Sequence, residues 1–181
     1  MRQSLRVHPD SPCFAVTHIE AEVMRLSPDS LLFYYFVNGR ITDLRMPLPV
    51  AAARTDELWR HTCFEAFVRA SPGDAYYEFN FTPSRQWAAY RFSSYRSGMR
   101  VATEIIAPRI EVQSSLTCYK LQAALELDRM SSPPGDGVWR IGLAAVIEEK
   151  SRHKSYWALA HPMGKADFHH SDGFALEVPR A

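Results

Sequence analysis

The sequence predicts an all-β chain, a single antiparallel β-sandwich spanning residues 1–181. Three observations carry the prediction. Hydrophobic and polar residues alternate through residues 58–92, where Leu58-Trp59-Arg60-His61-Thr62-Cys63-Phe64-Glu65-Ala66-Phe67-Val68 leads into Tyr76-Tyr77-Glu78-Phe79-Asn80-Phe81-Thr82-Pro83; successive side chains of a strand point to opposite faces. Short apolar runs recur at regular spacing, separated by Gly and Pro punctuation, as in sandwich proteins. Nowhere do strands alternate with clear amphipathic helices, which disfavours a doubly wound α/β fold.

Taken in order, residues 16–26 and 31–38 read as two strands joined by the turn string Ser27-Pro28-Asp29-Ser30, with Asn38-Gly39 ending the second. Residues 41–46 read as a third strand, stopped by Pro47 and Pro49, and 50–57 as a loop or a single helical turn. Strands at 62–69 and 75–81 follow, joined across Ala70-Ser71-Pro72-Gly73-Asp74, and the alternation resumes at 86–92 after the Pro83-Ser84-Arg85 turn. Residues 105–112 and 117–127 form a further pair. The strongest loop signal is 130–137, too short for a domain linker. Strands at 138–148, 156–160 and 174–178 complete the chain.

Composition narrows the function. The 21 basic and 20 acidic residues leave a net charge of +1, which gives no electrostatic case for a nucleic-acid partner. Arg85, Arg91, Arg96 and Arg100 cluster among aromatics, but their mixed-charge surroundings read as solvated edges or stacking partners. No apolar run has the length of a membrane span, and the N-terminus lacks the apolar core of a signal peptide, so a cytoplasmic chain with no membrane partner is expected. The three cysteines, Cys13, Cys63 and Cys118, form no CxxC pair and indicate no disulfide framework. Aromatic residues make up 12% of the chain, which suits both strands and ligand platforms.

Two regions hold candidate chemistry. On the strand reading, His61, Cys63 and Glu65 share one face, as do Glu78 and Asn80. Cys63 as a nucleophile is disfavoured, because same-face neighbours lie roughly 6–7 Å apart, beyond hydrogen-bond reach. Glu65 and Glu78 on paired strands suit general acid/base work on a glycosidic bond, or a plain polar network. In the C-terminal loop, His161, Asp167, His169, His170 and Asp172 are all candidate metal ligands. Their spacing fits no zinc motif, because the adjacent His169 and His170 project apart, and hydrogen-bonding imidazoles are the preferred reading. No GxGxxG, Walker or HExxH motif occurs. Trp139 reads as core, whereas Trp59, Trp87 and Trp157 adjoin polar motifs.

The runs from Leu58 to Phe67 and from Tyr76 to Ser84, with Gln86-Trp87-Ala88-Ala89-Tyr90, Tyr156-Trp157-Ala158-Leu159-Ala160-His161-Pro162 and Asp167-Phe168-His169-His170, resemble the bacterial DOMON-like proteins, which stand near the family-nine carbohydrate-binding modules. The resemblance spans residues 58–178. It implies a jelly-roll-like sandwich binding haem or a sugar. For a sugar it implies Trp59, Trp87 or Trp157 as stacking platforms, with Glu65, Glu78, Asn80 and Arg91 as hydroxyl partners. His61 and His169 complete the expected ligand-binding set. The six Met and seven His include no pair that can be set face to face as haem ligands. The expected function is therefore non-catalytic binding of a saccharide or related polyhydroxylated molecule, without a cofactor. The alternatives are a glycoside-processing enzyme using Glu65 and Glu78, a haem or divalent-metal site at His161, His169 or His170, and a module whose exposed aromatics meet a protein partner.

Overall fold

The computed structural model describes residues 2–27, 29–69, the backbone of 70, 73–127 and 138–179. Twelve strands form within these residues: β1 (Gln3–Val7), β2 (Val16–Ser27), β3 (Ser30–Gly39), β4 (Cys63–Ala70), β5 (Tyr76–Phe81), β6 (Trp87–Phe92), β7 (Arg100–Val101), β8 (Arg109–Ser114), β9 (Cys118–Glu126), β10 (Trp139–Glu148), β11 (Lys154–Ala158) and β12 (Leu176–Val178). Every strand pairing is antiparallel. The strand order is β7-β6-β5-β4-β10-β11-β1-β2-β3-β9-β8, with β12 also on β10.

The sheet curls into two layers, and β1 is the seam. Its residues Gln3, Ser4 and Leu5 pair with Ala21, Glu20 and Ile19 of β2, while Arg6 and Val7 pair with Ala158 and Trp157 of β11. Between the layers lies the main core. Phe33, Tyr35 and Leu121 from one layer face Phe64, Phe79, Phe81 and Ile141 from the other, all essentially buried. Rings meet across it: Phe33 to Phe81 at 5.8 Å and Tyr35 to Phe64 at 5.0 Å between centroids. The Tyr35 hydroxyl donates to the Glu65 carbonyl at 2.7 Å, so the one polar atom of that ring is satisfied by the opposite layer.

The sandwich is the predicted one, with local differences. Residues 41–46 are not a strand: Ile41–Asp43 is a 3₁₀ turn, and Leu44 makes an isolated bridge to Glu149. Ile41 and Leu44 are both buried three positions apart, the spacing of a helical turn and not of a strand. The pair expected at 105–112 begins later, at Arg109, after Pro108. β1 and the short edge strand β7 were not anticipated. The 50–57 stretch is a loop ending in a 3₁₀ turn, Leu58–Arg60. The loop expected at 130–137 lies outside the described residues.

Gly39 closes β3 with φ +151°, and a Cβ there would stand 2.2 Å from the Ala15 carbonyl oxygen and 2.8 Å from the Val16 Cα. Both obstacles are backbone, so neither can swing away. Gly39→Ala is expected to cost about 2–4 kcal/mol, measured by urea denaturation; an unchanged midpoint would show that this corner can open without loss.

Candidate functional site

The second face of the β6-β5-β4-β10-β11 layer is also buried, and that is where polar groups collect. Because β4 alternates, Phe64, Ala66 and Val68 point into the main core while Cys63, Glu65 and Phe67 point outward. On β5 the outward set is Tyr76, Glu78 and Asn80; on β6 it is Ala88, Tyr90 and Phe92. One cross-strand row runs Ala88–Asn80–Glu65–Ala144–Ala158. Ala144 and Ala158 make the row shallow on the β10–β11 side of Glu65, and Ala88 does so beyond Asn80, which leaves space above it.

That space is a cavity of about 380 Å³. Glu65, Glu78 and Val146 form its floor, with Tyr156 and Phe92 beside them from the same layer. Trp59 enters from the 3₁₀ turn, Arg96 and Met99 from the β6–β7 connection, and Ala166, Phe168 and His169 from the segment between β11 and β12. The covering segment packs by aromatic edges: the His169 ring lies 5.1 Å from Phe67 and 5.0 Å from Phe92, and Phe168 lies 6.2 Å from Tyr156.

The hydrogen bonds settle the orientation of each group. Asp167 accepts from Arg96 Nε at 3.2 Å and Nη2 at 2.7 Å, from the Tyr95 hydroxyl, and from the His169 backbone N–H at 3.0 Å. The Tyr76 hydroxyl accepts from the Arg96 backbone N–H at 3.2 Å and is hydrogen-bonded to His169 Nδ1 at 2.8 Å. The other ring nitrogen of His169, Nε2, faces Glu78 Oε2 at 3.6 Å. Asn80 Nδ2 donates to Glu78 Oε1 at 2.7 Å, and the Cys63 thiol donates to Asn80 Oδ1 at 3.3 Å. Glu65 is different. It is 3% exposed, and its Oε1 has no hydrogen-bond partner.

Burial governs the titration of this cluster. It pushes the Glu78 carboxyl up to about 7, against smaller lowering effects from the Asn80 hydrogen bond and the Arg96 charge. It raises Glu65 well above the ordinary carboxylate range, and the neighbouring Glu78 raises it further. The same burial, helped by Arg96, lowers the His169 imidazole to about 4, so the ring is neutral. At the rim, the hydrogen bonds from Arg96, Tyr95 and the His169 N–H overcome the burial that would raise Asp167, and hold it below its ordinary value.

The structure brings together Trp59, Glu65, Glu78 and His169 on the cavity, with Asn80 directly beneath Glu78. The two carboxylates are diagonal neighbours, not an opposed pair: Glu65 faces Asn80 across the ladder and Glu78 faces Phe67. Four expected residues stand elsewhere. Trp87 and Trp157, each 4% exposed, belong to the core between the layers and offer no platform. Arg91 shares the parity of Trp87 and lies over the Tyr77 ring at 5.7 Å. His61 precedes the first residue of β4, so the strand parity does not apply to it. Its side chain is 58% exposed and its Nδ1 donates to Glu148 Oε2 at 2.7 Å, in a separate recess. The metal alternative is not assembled among the described residues: His161 Nε2 donates to the Arg6 carbonyl, His169 meets Tyr76, and His170 Nδ1 accepts from the Asp172 N–H. Phe168, Tyr156, Arg96 and Met99 were not foreseen at the site, although Phe168 and Tyr156 lie inside quoted motifs and Arg96 in the arginine cluster, so that only Met99 had no signal.

Fold and cavity define an antiparallel β-sandwich with a covered polar and aromatic recess on the outer face of one layer. Among solved structures the chain is similar to a protein of Bacteroides uniformis to which carbohydrate binding is ascribed, with a TM-score of 0.69 and 13% identity over 96% of this chain and 83% of that one. It is also similar to a family-nine carbohydrate-binding module of Caldicellulosiruptor kristjanssonii, in complex with glucose (TM-score 0.53, 11% identity, 98% of this chain and 83% of that one) and with cellotriose (0.51, 11%, 88% and 74%). At such identities the likeness is one of fold. No protein-family model and no curated protein matches the sequence.

The titration leads to a prediction. Glu78 and Glu65 hold protons that the unfolded chain releases, so the stability they confer is complete below the ordinary value of 4.5 and is lost as pH rises through about 7 for Glu78. His169 acts in the opposite sense: its contribution is present above 6.5 and is lost as pH falls through about 4. His169→Gln is expected to steepen the decline of stability with pH between 4.5 and about 7, and the double variant Glu65→Gln/Glu78→Gln to turn it into a rise between about 4 and 6.5. Urea denaturation across that range measures both; parallel profiles for all three proteins would show that the cluster is solvated.

Proposed function

We propose that this protein is a non-catalytic binding module whose cavity takes a saccharide. The observation that carries the reading is the buried, unpartnered Glu65 Oε1 in an aromatic-lined recess. A buried polar atom without a partner costs about 1–3 kcal/mol, and a ligand hydroxyl placed there removes that cost. At about 380 Å³ the recess falls in the range of small-molecule sites. Its lining combines apolar faces, from Trp59, Tyr156 and Phe168, with the acceptors of Glu65 and Glu78. That division suits a pyranose, which has apolar C–H faces and a ring of hydroxyls. The similar folds solved with glucose and cellotriose support the same class of ligand. On the Tyr76–Pro83 and Asp167–His170 motifs we group the chain with the DOMON-like proteins.

Isothermal titration with glucose and cellotriose is the test. Saturable binding is expected, weakened about tenfold or more by Trp59→Ala or Phe168→Ala, since loss of a stacked ring removes on the order of 1.4 kcal/mol or more. No heat and no thermal shift with any mono- or oligosaccharide would overturn the reading. Turnover of a bound oligosaccharide, lost in Glu78→Gln while binding persists, would replace it with the hydrolase alternative.

A further inference from the structure

We propose that the ligand of this cavity carries a protonated amine, as an amino sugar does, and that the ammonium is received by Glu65 with Glu78 beside it. The inference rests on the saccharide reading and narrows it. Glu65 and Glu78 stand diagonally on adjacent strands, and both line the same cavity. Among the described residues no cation pairs with Glu65, and the basic side chain nearest Glu78 in an ion-pair geometry is His169 at 3.6 Å, whose ring is neutral. Of the other titratable groups facing the pair, the Arg96 charge favours ionisation of both carboxyls, but among the described residues none forms an ion pair with Glu65. From the same layer, the Cys63 thiol donates to Asn80 and the Tyr76 hydroxyl is engaged by His169 and the Arg96 N–H. Arg96 comes from the β6–β7 turn with its guanidinium committed to Asp167 through both Nε and Nη2.

An ionised carboxylate accepts hydrogen bonds and donates none, so this floor offers acceptors that the protein leaves unused. A hydroxyl can fill one of them but brings no charge, and with a neutral sugar the pair must keep a proton between its two members. An ammonium brings up to three donors and a positive charge, and it lets both carboxylates ionise in a site largely shielded from water. Trp59 and Phe168 present ring faces or edges at the same cavity, and aromatic faces attract cations where neutral polyols gain only contact. Binding therefore expels a proton from the carboxyl pair.

Titration calorimetry of the full chain compares glucosamine and galactosamine with glucose and galactose at about pH 6.5, where the amines are charged. The amino sugars are expected to bind about tenfold more tightly than their hydroxyl counterparts. Their apparent enthalpy should differ between phosphate and ACES buffers, the mark of proton release, and Glu65→Gln should bring the amino-sugar preference, read as the ratio of the variant's own two affinities, to within about twofold. Glu78→Gln provides the same test if the first variant does not fold. Equal affinities for the amino and neutral sugars, or a preference that survives both substitutions, overturns the ammonium assignment and leaves the saccharide reading standing. Failure of all four sugars to bind removes both.

Discussion

Everything at the cavity depends on one constraint: the β4–β5 ladder is buried on both faces. All six residues of β5 are buried. In a two-layer sandwich one face of each sheet ordinarily meets water, and alternation then separates apolar from polar side chains. Here the outward face of β4 and β5 carries Phe67, Tyr76, Glu65, Glu78 and Asn80, a set that is neither a solvated surface nor a plain core. It needs a cover, and the segment between β11 and β12 supplies one. Phe174 and Phe168 take the apolar part of that burial, and His169 reaches the carboxylates. The recess remains where the row of alanines lets the cover stand off the sheet.

The cover is held by charge at its rim and by neutral groups within. Asp167 gathers donors from three sources and keeps Arg96 at the surface, with the Arg96 side chain 52% exposed. Exposed ion pairs contribute little stability by themselves; the clamp matters because it ties the β6–β7 turn to the C-terminal segment and sets the Tyr76–His169 contact. Inside, the imidazole is neutral and burial disfavours the charge of both carboxyls. The chain has thus put two acids where their charge is disfavoured, an arrangement more typical of functional sites than of structural networks.

Much of this was legible in the sequence where the side-chain period is strict. β2 to β6 and β9 to β12 follow from alternation and turn residues, and the shared face of Glu65 with Cys63, and of Glu78 with Asn80, follows from parity alone. Parity does not say which strand residues lie opposite one another, and a two-residue stagger makes Glu65 and Glu78 diagonal. Nor does it say which face meets the other layer. Trp87 and Trp157 sit beside polar residues in the chain but fall on the inward parity, as register with Phe81 and with Ala145 shows. His61 lay just outside the regular strand, where extrapolating the alternation fails. β1 was hidden because five residues, Gln-Ser-Leu-Arg-Val, carry too little pattern, and half their pairing is with residues near the other end of the chain.

That last feature reaches beyond architecture. The seam strand also holds the root of the cover: Arg6 accepts a hydrogen bond from His161, and His8, just past the strand, donates to the Gly164 carbonyl at 2.8 Å. These contacts bridge 155 and 156 positions of sequence. During synthesis Gln3, Ser4 and Leu5 can pair with β2 soon after it emerges, whereas Arg6 and His8 must wait for partners 155 and 156 positions further on. Long-range closure of this kind is slow compared with hairpin formation. The recess is therefore among the last features to take shape on a nascent chain, and an incomplete translation product displays the acidic floor with no roof over it.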